Sequence, residues 1–389
     1  MARALAPKAS VFDDVSIAEL RRRRSYKWNA FPSDVLPAFV AEMDFPLAQA
    51  VSKAIVDAIN QDDCGYALPS LELTQALQSF TNRFSWDLHA SKVALIPDVM
   101  VGITELLRVA VEPGAGVVIN TPVYPPFFTH IAQAGCLVVE APLAHTDRGY
   151  ELDLDAVEDA FQSGARVYLL CNPHNPTGRV FSRQELLRIA ELAERYDIVV
   201  LADEIHAPLV LPGARHTPFL SLGEQAANHG LALVSSSKAW NTPGLKCAQV
   251  IAASQPMRAV VDRLPEGVTF QVGNLGVYAS IAAYRDSVGW LDDLLQVLDR
   301  NRVLMGELLA ERLPGVRYQA PEGGYLAWLD CRALDLPEEP VDFFLNQGRV
   351  ALGPGPKFGK QGQGYVRVTM GTSAGILTEI VDRMRAAVP

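Results

Sequence analysis

Three polar clusters follow short apolar runs in the middle of the sequence, and their residue types are those of a reactive site. Residues 172–178 read NPHNPTG, residues 203–206 read DEIH, and residues 235–238 are three serines followed by a lysine. Amides, carboxylates, hydroxyls and an amine in such clusters can carry out nucleophilic and acid–base chemistry on a small charged molecule.

Each cluster contributes a side chain with a definite chemical use. Lys238 becomes a nucleophile if it is desolvated beside the serines, and hydroxyls such as that of Ser235 can cradle an anion. Asp203 ends an apolar run and therefore needs a cation or several donors, because a buried lone carboxylate is very costly. The prolines after Asn172 and Asn175 restrict both asparagines to extended geometry, which fixes the direction of their amide groups.

Taken singly, each cluster has an ordinary explanation as a rigid turn, a helix N-cap or a surface lysine. Together they supply what pyridoxal phosphate (PLP) requires: an amine for the aldehyde, an anion for the pyridinium, a donor for the phenolic oxygen, and hydroxyls for the phosphate. The sequence therefore predicts a PLP site with a Schiff base on Lys238.

The clusters must be positioned by the elements that precede them. Short β-branched runs predict strands at 93–96, 117–120, 137–140, 167–171, 198–202 and 231–234. Between two of them, residues 183–196 carry an apolar stripe at helical spacing. Strand and helix in alternation predict an α/β fold with a mostly parallel sheet sandwiched by helices, and such sheets bind ligands at the carboxyl ends of their strands.

The pattern changes at about Trp290, where a long helix and alternating strands at 325–330, 349–352 and 365–369 predict a smaller α+β domain. We therefore expect an N-terminal arm over residues 1–50 that contributes to the small domain. A large PLP-binding domain is expected over 51–289, and a small C-terminal domain over 290–389.

Composition narrows the possible partners. The 389 residues are 49% hydrophobic and 20% charged with a net charge of −10, which argues against nucleic acid because phosphates need clustered basic residues. The one basic run, 21–24, is explained by a solvated helix face. No apolar run is long enough for a bilayer, and five scattered cysteines favour neither disulfides nor a metal. A cytoplasmic protein without metal or membrane partner is expected.

The three clusters, together with SSSKAWNTPGLK from Ser235, resemble the core of the class I/II aminotransferase superfamily, which has the fold-type I PLP architecture. KWNAFP at 27–32 and VLPAFVAEMDF at 35–45 are similar to the MalY/PatB-type cystathionine β-lyases, also called cysteine C–S lyases. The resemblance extends from about Leu20 to the C-terminus.

The resemblance implies a role for individual residues. Lys238 would hold the cofactor and move the α-proton, Asp203 would pair with the pyridinium, and Arg367 would grip the substrate carboxylate. The remaining implied positions are Asn175 and His206 at the phenolic oxygen, Tyr124 stacked on the ring, Tyr325 at the substrate, and Ser235, Lys246 and the amides of Val99 and Met100 at the phosphate. Tyr66 would reach the phosphate of a neighbouring subunit, which implies a homodimer with shared active sites. Tyr124 as a core tyrosine and Arg367 as a salt-bridged strand residue remain alternatives.

The chain departs from the family's pattern at two places. Gly323 and Gly324 stand where the family usually has serine and threonine, and Thr369 stands where it tends to have asparagine. The smaller residues would give room for a bulkier thiol or a different backbone path.

The expected reaction is α,β-elimination from cystathionine or another L-cysteine S-conjugate to thiol, pyruvate and ammonia. An aminotransferase would use the same core residues, and a lyase of a specialised pathway would accept a bulkier conjugate. A regulatory protein without activity would be expected to lose Lys238 or Asp203, and the chain keeps both.

Overall fold

The computed structural model describes residues 10–88, 91–146 and 149–388. The helices of these residues are Ser10–Asp13 (α1), Ile17–Leu20 (α2), Tyr26–Asn29 (α3), Gln49–Asn60 (α4), Leu71–Thr81 (α5), Val99–Ala110 (α6), Pro126–Gln133 (α7), Leu154–Gln162 (α8), Arg183–Tyr196 (α9), Glu224–His229 (α10), Gln255–Val261 (α11), Glu266–Phe270 (α12), Asn274–Asp286 (α13), Val288–Arg312 (α14), Pro340–Asn346 (α15) and Ala374–Ala387 (α16). The strands are Leu36–Pro37 (β1), Lys92–Ile96 (β2), Gly116–Ile119 (β3), Leu137–Glu140 (β4), Ala144–Thr146 (β5), Gly149–Glu151 (β6), Ala165–Cys171 (β7), Val199–Asp203 (β8), Gly230–Val234 (β9), Ala248–Ala252 (β10), Arg317–Tyr318 (β11), Leu326–Asp330 (β12), Val350–Ala351 (β13), Gly353–Pro354 (β14) and Tyr365–Thr369 (β15).

A seven-stranded sheet forms the centre of the molecule, with the strand order β2-β10-β9-β8-β7-β3-β4. Every neighbouring pair from β9 to β4 is parallel, whereas β10 is antiparallel to both β9 and β2. The predicted mostly parallel α/β sheet is therefore confirmed. The sequence analysis did not predict β10, the one strand that runs against the others.

Two apolar clusters cover the two faces of this sheet, as expected for strands that are buried on both sides. One cluster includes Tyr168, Leu170 and Ala202, and the other includes the alternating neighbours Leu169 and Leu201. Because alternate side chains of each strand are enclosed by helices, the strands are held rigidly. Their carboxyl ends are then a stable platform for polar side chains.

Helix α9 shows how local sequence determines the bounds of an element. Ser182 caps the helix by accepting from the amide of Glu185, whose side chain accepts from the Ser182 amide in return. The helix ends where Asp197 adopts the left-handed conformation, with φ of 52°. The predicted helix over 183–196 is confirmed at both ends.

The C-terminal part contains an antiparallel sheet with the order β11-β12-β15-β14. The expected strand at 349–352 is replaced by β13, which pairs in parallel with β1 from the N-terminal segment instead of joining this sheet. Trp28 and Leu36 pack in the same apolar cluster as Val366 and Leu377. Residues 10–50 thus contain short helices and the strand β1, and they pack against the C-terminal part, whereas the first nine residues of the predicted arm lie outside the described ranges. The domain boundaries at 50 and 289 stay predictions.

The long helix expected from about Trp290 is α14, which has 25 residues. None of the helices in the described ranges is long and apolar enough to cross a membrane.

Candidate active site

The carboxyl ends of β7, β8 and β9 border a cavity of about 280 Å³. Predicted site residues that line it are Val99, Met100, Tyr124, Asn175, Asp203, His206, Ser235, Lys238 and Lys246. The structure thus brings together side chains that are up to about 150 positions apart, at the sheet edge where ligands of open α/β sheets bind.

Lys238 lines this cavity, and its Nζ donates a hydrogen bond to the carbonyl of Ala41 at 3.1 Å. Burial, together with the positive charge of Arg367, lowers the pKa of Lys238 to about 8, against the opposing charge of Asp203. A much larger fraction of the amine is therefore neutral at physiological pH than in an ordinary lysine, which makes Lys238 a competent nucleophile.

Asp203 is the last residue of β8 and is buried, with Oδ1 accepting from the amide of Ile205 at 3.1 Å. Burial raises the pKa of this carboxyl to about 7, although the Ile205 amide and the charge of Lys238 lower it. A neighbouring cation favours the ionised form of a buried carboxyl group, because the opposite charge offsets the cost of burial. The site therefore favours a positively charged ring nitrogen next to Asp203.

Arg367 does not line the cavity but lies directly behind Asn175. Its Nη1 donates to Oδ1 of Asn175 at 3.1 Å, its Nη2 donates to the carbonyl of Phe39 at 2.9 Å, and Nε has no partner. Burial lowers the pKa of Arg367 to about 10, and the ring of Phe358 lies 5.1 Å from Cζ. Among the residues that the structure describes, no carboxylate forms an ion pair with this buried guanidinium, so the alternative of a salt-bridged strand residue does not apply. Such a charge favours an anionic ligand.

Two tyrosines and a histidine are the remaining side chains predicted to act at the ring or the substrate. Tyr124 lines the cavity, whereas Tyr325 is fully buried and donates to the carbonyl of Ala41 at 3.0 Å. His206 is buried with Nδ1 unpartnered, and its ring lies 6.3 Å from that of Tyr325. Burial and the charges of Lys238 and Arg367 lower the pKa of His206 to about 3, so it acts as a neutral imidazole.

The opposite end of the cavity has the groups of an anion site. Val99 begins α6, whose first amides point out of the helix and favour negative charge. Ser235 donates to the carbonyl of Cys247 at 2.8 Å and accepts from the amide of Ser237 at 3.1 Å. Lys246 donates to Asp98 at 2.8 Å.

Sequence reasoning missed several residues of the cavity wall. Asp98 caps α6 through the amide of Val101 and also binds Lys246, and these two hydrogen bonds lower its pKa although burial raises it. Ala41 and His130 line the cavity as well. An acid just before a predicted helix is a cap signal that the sequence contained. Ala41 lies within the motif at 35–45 but was given no role there, and no pattern marked His130.

Tyr66 is the one implied cofactor residue that lies outside the cavity. Its side chain is 80% exposed, its ring contacts that of Phe270 at 5.9 Å, and its backbone pairs with Gly273. Tyr66 does not line the cavity of its own chain, and its predicted role requires a second subunit.

The two glycines that depart from the family's pattern do not line the cavity. A Cβ at Gly323 would lie 3.1 Å from Pro173, so this position packs against the first polar cluster. Gly324 has a φ of 80°, in the region that favours glycine. Gly323 is therefore closely packed, and the wider thiol site or different backbone path expected from these two positions stays a prediction. Thr369 is buried at the end of β15, where its hydroxyl accepts from the Gly371 amide.

The model of the family described as "Aminotransferase class I and II" matches residues 40–384. The chain belongs to the class I and II aminotransferase family. Within this aminotransferase family, it is 44% identical to a protein of Mycobacterium leprae provisionally named cystathionine beta-lyase, over 96% of this chain and 97% of the relative. It is 32% identical to cystathionine beta-lyase PatB of Bacillus subtilis, over 91% and 93% of the two chains. The predicted likeness to the MalY/PatB type is thereby confirmed.

The structure of this chain is also similar to the crystal structure of cystalysin from Treponema denticola, which contains pyridoxal 5′-phosphate. The TM-score is 0.90 with 26% sequence identity, covering 97% of this chain and 98% of that one. The donor set of the cavity fits this group: a poorly hydrated amine in Lys238, a carboxyl in Asp203 and an anion site at the start of α6.

Proposed function

We propose that this chain is a PLP-dependent C–S β-lyase that cleaves cystathionine or another L-cysteine S-conjugate. The proposal depends on one arrangement. The amine of Lys238 and the carboxyl of Asp203 line the same cavity. Behind Asn175 in the wall of this cavity lies the buried guanidinium of Arg367, which forms no ion pair with a carboxylate of the described residues. The lyase names of relatives that match nearly the whole chain support the reaction class.

Bound PLP supplies an electron sink for the pair of electrons left when the α-proton departs. Lys238 would hold the aldehyde of PLP through its neutral amine and would take the α-proton of the substrate at Nζ. Asp203 holds its charge beside the ring nitrogen. The hydrogen bond from Arg367 occupies Oδ1 of Asn175, which leaves the amide nitrogen free to donate to the phenolic oxygen.

Arg367 positions the substrate by its α-carboxylate, because a planar guanidinium binds a carboxylate in a bidentate manner. The bond between Cβ and sulfur then breaks, and the thiolate leaves with the bonding electrons. Released 2-aminoacrylate reacts with water to give pyruvate and ammonia. Tyr124, at the cavity wall, would stack on the cofactor ring. Tyr325, which is buried and donates to the Ala41 carbonyl, would lie near the substrate.

The experiment that tests the reaction is a screen of L-cysteine S-conjugates, cystathionine and bulkier thioethers included, with PLP-loaded enzyme and no 2-oxo acid. Pyruvate and free thiol should appear in equal amounts, and the Lys238→Ala variant should form neither. Turnover that starts only when a 2-oxo acid is added would make the protein an aminotransferase. Full cofactor loading without any turnover would favour a regulatory protein.

We further propose a homodimer with shared active sites. Tyr66, Leu68 and Leu71 are 80%, 74% and 73% exposed, and Phe270 against Tyr66 is half exposed. Exposed apolar groups concentrated in one place indicate a protein interface. Gly273 pairs with Tyr66 and donates to the carbonyl of Lys246, so the apolar surface adjoins the anion end of the cavity.

Mixing two variants tests whether the sites are shared. Dimers of Lys238→Ala and of Tyr66→Ala should each have little activity, and subunit exchange should restore one intact site per mixed dimer. Mixed dimers without recovered activity would show that each chain completes its own site.

A cytoplasmic location is proposed because all five cysteines are free thiols, four of them buried, as is usual in a reducing compartment. We also keep the division into an arm, a large domain over 51–289 and a small domain over 290–389 as a proposal, which limited proteolysis near residues 50 and 289 can test.

A further inference from the structure

A second buried acid lies next to Asp203 and has no part in the proposed mechanism. Glu204 is 1% exposed, and its Oε1 accepts from the amide of Phe219 at 2.6 Å. The only other group near this oxygen in the described ranges is the imidazole of His216, whose Nε2 lies 3.7 Å away. A buried carboxylate with one neutral donor requires a positive charge nearby.

His216 is equally buried, and neither of its ring nitrogens has a hydrogen-bond partner among the described residues. Its ring packs edge-on against Phe84 at 5.3 Å, so packing holds it in place beside Glu204. Among the described residues, this imidazole is the group beside the Glu204 oxygen that can supply a positive charge.

A small cavity of about 20 Å³ lies between this pair and Ser235 of the proposed cofactor site. Glu204 and His216 line it together with Ser235, which also lines the large cavity. The space can hold about one water molecule, which would hydrogen-bond to the imidazole. Tyr284 is the other titratable side chain in this wall, and burial raises its pKa far above the ordinary value, so it contributes no charge.

We infer that His216 and Glu204 form a buried charge pair whose function is to position the negative charge of Asp203 against the ring nitrogen of the cofactor. The inference rests on the proposed PLP function. With the pair intact, the carboxylate of Glu204 is balanced, and Asp203 stays ionised. Without the positive charge of His216, Glu204 adds a negative charge next to Asp203 and draws a proton onto it.

Glu204 directly follows Asp203 in the chain, and both carboxyls are buried. Burial is the main cause of the raised pKa of Asp203, and the charge of Glu204 raises it further. His216 and Glu204 are therefore positioning residues, since they act on the cofactor through Asp203 and do not contact the substrate.

Three variants test the pair in the PLP-loaded enzyme: His216→Phe, Glu204→Gln and the double variant. Phenylalanine keeps a ring against Phe84, and glutamine keeps an oxygen for the Phe219 amide. The readouts are the ¹⁵N chemical shift of ring-labelled PLP, which reports protonation of the ring nitrogen, and the dissociation constant of PLP.

The His216→Phe variant should move the ring-nitrogen signal toward its unprotonated value and weaken PLP binding about tenfold, the factor that corresponds to one pKa unit on Asp203. The Glu204→Gln variant should keep the wild-type signal and affinity. Adding Glu204→Gln to His216→Phe should restore both, because the unbalanced charge has then been removed.

A purely structural role would lower the unfolding free energy of His216→Phe but leave the ring-nitrogen signal of the PLP-loaded enzyme at its wild-type position. A double variant worse than His216→Phe, or a His216→Phe variant like the wild type, overturns the inference. If His216→Phe does not fold, weaker PLP binding in Glu204→Gln alone overturns it, and unchanged or tighter binding supports it. Failure of wild-type enzyme to bind PLP would refute the proposed function instead.

Discussion

Replacing Arg367 with lysine tests whether the guanidinium recognises the α-carboxylate of the substrate. Lysine keeps the positive charge but loses the planar fork that holds a carboxylate through two parallel bonds. A hydrogen bond to a charged group contributes about 1.5–3 kcal/mol, and each 1.4 kcal/mol is a factor of ten. Loss of one bond and imperfect placement of the other should therefore lower kcat/KM by about 10²- to 10³-fold.

The assay compares thiol release from an L-cysteine S-conjugate with release from the matching cysteamine conjugate, which has no carboxylate. The wild-type enzyme should strongly prefer the amino acid, and Arg367→Lys should erase most of that preference while leaving the poor cysteamine rate nearly unchanged. Because Nη1 also holds Asn175, a general disturbance of the site is the competing explanation. Equal slowing with both substrates would refute carboxylate recognition.

Three further predictions concern the amine, the backbone and the fold. Burial lowers the pKa of Lys238 to about 8. The rate at which the apoenzyme binds PLP covalently should therefore rise with pH and reach half its maximum near pH 8, as measured by stopped-flow absorbance. A midpoint near 10.5 would contradict the argument that burial lowers this pKa. Gly324→Thr should lower the unfolding free energy by about 1–2 kcal/mol because φ is 80°, while Gly289→Ala, within a helix and with open space around it, should not destabilise; thermal unfolding compares the two. Lys27→Met should lower the free energy of unfolding in urea by about 3–5 kcal/mol, because it removes the cation 2.8 Å from the equally buried carboxylate of Asp44. A loss below about 1 kcal/mol would show that the ion pair does not stabilise the fold.

The sequence was sufficient to place the polar clusters at one sheet edge. A parallel strand that is covered on both faces needs an uninterrupted apolar run, so the end of each run marks the point at which polar side chains begin. The strand predicted at 137–140 has those bounds in the structure, and Asp203 and Ser235 lie at or directly after strand ends, as expected. Local signals of this kind do not depend on distant parts of the chain.

Pairing between distant segments was not readable in the same way. Strand β10 is as apolar as its neighbours, but it lies between a turn at Lys246 and a short helix, and nothing local gives its direction. Strand β1 has two residues and exists because β13, more than 300 positions later, pairs with it. The role proposed for the exposed Tyr66 likewise requires a second chain.

The wall of the site that faces the substrate depends on such distant contacts, which explains why the reaction class was predictable and the thiol half of the substrate was not. The carbonyl of Ala41, in the N-terminal segment, accepts hydrogen bonds from both Lys238 and Tyr325, which belong to the central and C-terminal parts of the chain. Arg367 is fixed by Phe39 from that same N-terminal segment. The groups proposed to act on the α-carbon lie at or near strand ends, which local sequence patterns predict. The space beyond Cβ of the substrate is formed by three segments that are far apart in the sequence, and local patterns do not predict its shape. Small shifts of the N-terminal segment would therefore alter which thiol fits while leaving the amine and the carboxyl of Asp203 in place.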